Sequence, residues 1–253
     1  VNTSPKFDIG RNFCNKLWNA SRFAMMNLEG VDPNAFDPAR MDVTDQWILS
    51  RLAATISEVT GQLEEFKFSE PLAVLYRFFW NDLCDWYLEW AKSRMRDPAQ
   101  KPIAQNVLAF TLDCALRLLH PFVPFITEGI YQKLNEIAPV RGLKGIADAE
   151  KATAVVIAQW PEAIERMAHP KVEEEIRLVQ DVIRSIRDIR SKYNKPPGES
   201  LKASANAPQA VADVLNAYSG LVCQLAALSE FRAAADQPKP NNAATAIVED
   251  VQI

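Results

Sequence analysis

The sequence predicts a mainly α-helical chain, an antiparallel helical bundle followed by a small α/β subdomain. Three observations carry this prediction. Only 8 of the 253 residues are glycine, against 16 prolines, so the positive-φ turns of hairpin-rich folds have few places to form. Apolar residues recur at steps of 3 and 4 through most of the first 137 positions, the period of helices with one buried face. Strand-like runs cluster only after residue 198. A composition of 48% apolar and 24% charged residues excludes disorder as the main state.

The elements follow in order. Ser4-Pro5 reads as an N-cap with a first-turn proline, and Gly30 stands where a glycine closes a helix, so the first helix is predicted over 5–28. At 100° per residue, Ile9, Phe13, Leu17, Ala20, Ala24 and Leu28, with Cys14, Met25 and Trp18, form its inward arc. A second helix begins at Thr44 or Asp45, with Ile48, Leu52, Ile56, Val59, Leu63 and Phe66 inward. A third runs from 69 to about 96, where Asp97-Pro98 stops it. It carries Tyr76, Phe78, Phe79, Trp80, Trp86, Tyr87 and Trp90, an aromatic density that predicts packing on several sides. The fourth helix spans about 103–119 and the fifth about 124–137. Short loops between five amphipathic helices imply the antiparallel bundle.

The pattern breaks between 138 and 168, leaving a loop and one extended segment at 155–160. A sixth helix, 171–193, turns Val172, Ile176, Val179, Ile183 and Ile186 inward. Pro196-Pro197-Gly198 ends it. A strand at 200–206, a helical stretch at 209–228 and short strands near 230–235 and 246–252 complete the α/β part. The domains expected are a bundle over 1–140, a linker over 141–170, and a long helix plus small α/β subdomain over 171–253. Val1 at the first position and the abrupt end at Ile253 suggest a piece of something longer.

Several functions are excluded by what is missing. The four cysteines, Cys14, Cys84, Cys114 and Cys223, form no C-x-x-C pair, and His120 and His169 are the only histidines, so zinc and iron–sulfur sites are not expected. No phosphate-loop, dinucleotide, zincin or hydrolase signature occurs. No catalytic residue is expected. Neither a membrane span nor a secretory signal is present, and the chain reads as cytoplasmic, with no membrane partner. Asp82, Asp85 and Glu89 fall at i, i+3 and i+7 on the third helix, a spacing that can hold Mg²⁺. No second acidic cluster accompanies them, and pairing with neighbouring basic side chains is the preferred reading, so no metal is expected. A third role for such a carboxylate is to accept a hydrogen bond from a cytosine amino group.

The opposite arc of the first helix holds Arg11, Asn12, Asn15, Lys16, Asn19 and Arg22, with Phe23 and Met26 among them and no acid. Unstacked RNA bases are met by this combination: aromatic or Arg planes stack on the base, amides bond to its edge, and cations hold phosphates. Burial of Phe23 against a neighbouring helix or domain is the competing explanation. The sixth helix is locally basic: Arg177, Arg184, Arg187, Arg190, Lys192 and Lys195 stand against Asp181 and Asp188. The net charge of −4 is therefore a sum over segregated signs.

Four separated motifs together resemble one family. Residues 10–23, GRNFCNKLWNASRF, resemble the first helix after the catalytic domain of class I valyl-tRNA synthetases. Residues 78–92, FFWNDLCDWYLEWAK, resemble the third helix of the same bundle. Residues 119–128, LHPFVPFITE, are shared among valyl, isoleucyl and leucyl enzymes. Residues 183–198, with Arg187, Arg190 and the Asn-Lys-Pro-Pro-Gly ending, resemble the valyl type specifically. The likeness runs from about Phe7 to the end and weakens after Leu201. Gly129 departs from it, standing where the family usually has glutamate.

The resemblance implies the anticodon-binding region of such an enzyme, a fold of the class I anticodon-binding type with a tRNA for valine as partner. It implies Arg11, Asn15, Lys16, Asn19, Arg22 and Phe23 on the first helix as RNA-binding, with Glu89 and Lys92 on the third and Arg187 and Arg190 on the sixth. For Arg184, Arg187 and Arg190, docking against the catalytic domain is an equal alternative. The parent would join valine to its tRNA using ATP with magnesium and would be monomeric, its own catalytic and editing domains lying in the full-length chain. No cofactor is expected in the segment itself. The alternative is a helical protein-interaction module that docks on a catalytic domain without touching RNA.

Overall fold

The computed structural model describes residues 5–196, 198–236 and 243–253. Ser4 and Pro197, which figure in the expected N-cap and helix break, and residues 237–242 lie outside the described residues. The chain divides into two compact units, Val1–Pro170 and Lys171–Ile253. The architecture is a helical bundle followed by a small α/β part.

In the first unit α1 spans Pro5–Asn27, α2 Val43–Glu64, α3 Ser69–Arg77 and α4 Leu88–Arg94, with a π-helix at Phe78–Tyr87 between the last two. α5 (Lys101–Leu119) and α6 (Pro124–Ile137) follow. Asn27 ends α1, its side-chain amide donating to the Phe23 carbonyl at 2.8 Å, and Gly30 supplies a φ of +73° just beyond. α2 starts earlier than expected because Asp42 is the cap. Its carboxylate accepts from the Thr44 and Asp45 amides, while Asp45 accepts from the Asp42 amide, satisfying the first-turn donors reciprocally.

Every residue of α5 from Ile103 to Leu119 is buried. A helix covered on all sides must be central, and α1, α2, α3, α4 and α6 all pack against it. Two buried charge networks brace this core. Asp45 accepts from Tyr87 Oη at 2.9 Å and from Arg94 Nη1 at 2.7 Å; burial pushes its carboxyl upward, and the Arg94 guanidinium pulls the other way. Asp113 holds Arg141, whose Nε donates at 2.8 Å, and pairs with Arg117, also at 2.8 Å.

Residues 141–170, read from sequence as a linker, belong to the first unit. Arg141, Leu143, Val155 and Met167 are buried, and the Arg117 guanidinium donates to the Glu150 and Gln159 carbonyls. The extended segment expected at 155–160 is instead a 3₁₀ turn at Val155–Ile157. Glu128 accepts from the Val155 amide at 2.9 Å and takes the place of a neighbouring strand.

The second unit begins with α7 (Pro170–Lys192, its first residue counted with the first unit), whose inward stripe includes Ile176, Val179, Ile183 and Ile186. β1 (Leu201–Asn206), α8 (Gln209–Ala217), α9 (Ser219–Ala226) and β2 (Leu228–Ala234) form a parallel strand pair joined through helices. β3 (Ile247–Val248) and β4 (Val251–Gln252) add an antiparallel edge, giving the sheet order β2-β1-β4-β3. The helical stretch expected as one is two, interrupted at Tyr218, whose hydroxyl donates to Glu175 at 2.6 Å. Burial, and then that bond, push the phenol up to about 12.

Candidate nucleic-acid interface

α1 buries one sector, formed by Phe13, Leu17, Ser21, Ala24 and Leu28 at its end. This sector is narrower than expected. Ile9 and Trp18, placed in the inward arc by the helical wheel, are 61% and 51% exposed. Arg11, Asn15, Asn19 and Arg22 are exposed, and Lys16 and Phe23 are half-buried. Six of the residues singled out in the sequence thus lie on the surface of one helix. The Arg11 guanidinium pairs with Asp8 at 2.9 Å, an acid just N-terminal of the arc.

The π-helix and α4 run beside α1 and complete the surface. Lys92 Nζ sits 5.6 Å from the centre of the Phe23 ring and donates to both oxygens of Glu89, at 2.6 and 2.7 Å. Glu89 and Lys92 of the third helix's motif therefore meet Phe23 of the first. A second ring, ammonium and carboxylate come together one step along. Lys16 Nζ lies 4.9 Å from the centre of the Trp80 ring and donates to Asp85 Oδ1 at 3.0 Å. Tyr76 stacks on Trp80, the centroids 5.3 Å apart and the planes 16° from parallel, and Phe13 packs on Tyr76 at 5.2 Å.

Tyr76, Trp80 and Asp85 were not among the site residues expected from sequence. The signal was present, since Trp80 and Asp85 lie in the same 78–92 motif, but a 100° wheel does not place them. The π-helix closes i→i+5 bonds and shifts every later side chain relative to α-helical spacing. The carboxylates considered for Mg²⁺ turn to different partners. Asp82 faces Arg51 of α2 at 3.0 Å and Asp85 faces Lys16 of α1, so the trio does not converge. Among the described residues no group of three or more His, Cys, Asp or Glu is placed to hold a metal. Burial pushes the Cys84 thiol up to about 12.

The two α7 arginines separate. Arg187 is exposed, its Nε donating to the Leu225 carbonyl at 2.9 Å. Arg190 is buried, and its guanidinium donates to the carbonyls of Ala227, Pro196 and Glu199 at 3.2, 2.6 and 2.7 Å. It ties the turn after α7 to the sheet, and its expected RNA contact is corrected to this internal role. Three carbonyls occupy the fork that a phosphate would need.

Residues 45–205 match the family described as the anticodon-binding domain of tRNA ligase. Several relatives are described as valine–tRNA ligase. That of Rhodopirellula baltica is 43% identical over 201 residues, 79% of this chain and 19% of the relative. That of Geobacter sulfurreducens is 39% identical over 248 residues, 96% of this chain and 27% of the relative. The protein of Geobacillus kaustophilus is 36% identical over 258 aligned residues, 99% of this chain and again 27% of the relative. The chain spans about a fifth to a quarter of the length of these curated relatives.

Proposed function

Since the chain belongs to the anticodon-binding domains of tRNA ligases, and to the valyl type among them, we propose that it recognises the anticodon loop of a tRNA for valine through the face shared by α1, the π-helix and α4. The observation that carries this reading is Phe23. Its ring is half-buried on the helix that also exposes Arg11, Asn15, Asn19 and Arg22, with Lys92 Nζ 5.6 Å from the ring centre and Glu89 accepting from Lys92. An unstacked base lies on the ring in place of the ammonium. The amides bond to base edges and the cations take the flanking phosphates. Arg187 is a further phosphate contact.

The parent enzyme uses ATP with magnesium to join valine to this tRNA, in a catalytic domain elsewhere in its chain, with editing in another. It works in the cytoplasm as a monomer. The present segment contributes recognition and no catalytic group. The alternative, a helical docking module without RNA contact, finds no support in the family match.

Titration with a valine tRNA and with an anticodon-swapped variant at moderate salt tests the reading. The cognate tRNA is expected to bind more tightly, and equal affinity would reject base-specific readout. Phe23→Ala is expected to weaken binding by roughly 1–3 kcal/mol, the contribution of one base stacked on an aromatic ring. If the variant loses folding stability while its folded fraction binds unchanged, Phe23 is a packing residue.

A further inference from the structure

The candidate interface contains the same chemical trio twice. Phe23, Lys92 and Glu89 form one set; Trp80, Lys16 and Asp85 form the other. In each, an ammonium covers an aromatic face and is held there by a carboxylate. We propose that Trp80, Lys16 and Asp85 form a second base slot, selective for an anticodon-loop base with an exocyclic amino group. This inference rests on the tRNA reading above and assigns it a further specificity-determining site.

The Trp80 indole is a supported platform. Tyr76 stacks on it and Phe13 backs Tyr76, so the ring plane is set by packing before any ligand arrives. The group covering it is easily exchanged. Lys16 and Asp85 are one-third to one-half exposed, and an ion pair in such a position contributes little. A base arriving on the indole replaces a cation–π contact with a stacking contact, while Lys16 swings to the adjacent phosphate and keeps an anionic partner.

Asp85 is then left facing the base edge. An ionised carboxylate only accepts hydrogen bonds. The amino groups of cytosine and adenine satisfy it, whereas the carbonyl oxygens of uracil or hypoxanthine at the same edge repel it. Selectivity arises from the acid that, without RNA, holds Lys16 in place.

The test is binding of anticodon stem–loop RNA of a valine tRNA, with each amino-bearing loop base replaced in turn by its oxo counterpart, cytosine by uracil and adenine by hypoxanthine. The parent protein, Asp85→Ala, Trp80→Leu, Trp80→Tyr and Phe23→Ala are compared, with folding checked by circular dichroism. At one loop position the parent is expected to lose about fivefold or more in affinity on the swap, and Asp85→Ala is expected to lose most of that discrimination there. Trp80→Leu weakens binding by about fivefold or more, and Trp80→Tyr restores most of it. Should Trp80→Leu misfold, the Asp85→Ala ratio decides, since that side chain is exposed.

Retention of the parent's discrimination by Asp85→Ala at every position overturns the second slot. If Phe23→Ala still loses affinity in that case, the tRNA reading stands and only this slot falls. A parent protein indifferent to every swap overturns base readout and the slot together.

Discussion

Arg141 is 1% exposed, and its guanidinium reaches Asp113, the Asn135 side chain and the Ala138 carbonyl. Such a charge is tolerated only because the donors are met. Removing it leaves Asp113 buried with Arg117 as its remaining ion-pair partner. Arg141→Ala is expected to cost about 3–5 kcal/mol of stability, the range for breaking a buried pair, measured by urea unfolding. A loss below about 1 kcal/mol would show that water re-solvates the site. Nothing in the sequence marks this residue, a single arginine in a stretch without periodicity. Arg190 was legible and misread. It continues the stripe Ile176, Val179, Ile183, Ile186 by a further step of four, and a charge on an inward stripe points to an internal clamp before an RNA contact. Phe23, Lys92 and Glu89 come from two separate quoted motifs, and only the folded chain brings them together.

At the scale of the element, α6 carries a test of the one departure from the family pattern. Gly129 is exposed on that helix, and a Cβ built there meets nothing within 4 Å. Glycine within a helix is less favourable than alanine by about 0.8–1.0 kcal/mol. Gly129→Ala is therefore expected to raise stability by up to about 1 kcal/mol, read as a higher urea midpoint at unchanged slope; a decrease would mean that the position needs glycine for a reason outside the helix. The cap of α2 is Asp42, ahead of the expected Thr44 or Asp45. Helix positions were otherwise legible because the 3.6 period and closing glycines such as Gly30 leave marks. The π-helix left none. Phe78, Phe79, Trp86 and Tyr87 are all buried within it, and no residue type announces the change of hydrogen-bond spacing. The wheel therefore failed exactly where Trp80 and Asp85 stand, and the turn at Val155–Ile157 escaped for a related reason, its bond partner Glu128 being distant in sequence.

For the whole molecule the decisive quantity is where the charge lies. A protein of net charge −4 is repelled by RNA at long range, so binding depends on the local field of the α1 face, where Arg11, Lys16 and Arg22 stand with Lys92 close by. Each cation that takes a phosphate of a single-stranded loop releases counterions and adds about −0.7 to the slope of log affinity against log salt. Three or four such contacts give a slope of roughly −2 to −3. Arg22→Gln should reduce its magnitude by about 0.7 and weaken cognate and swapped loops alike, because phosphate contacts carry no sequence information. Asp85→Ala acts differently. It frees Lys16 from its partner, so the slope is retained while discrimination falls. Measuring slope and discrimination for both variants separates positioning from reading on one surface: a slope near zero in the parent would remove the phosphates from the proposal, and loss of discrimination in Arg22→Gln would move that residue from holding the backbone to reading a base.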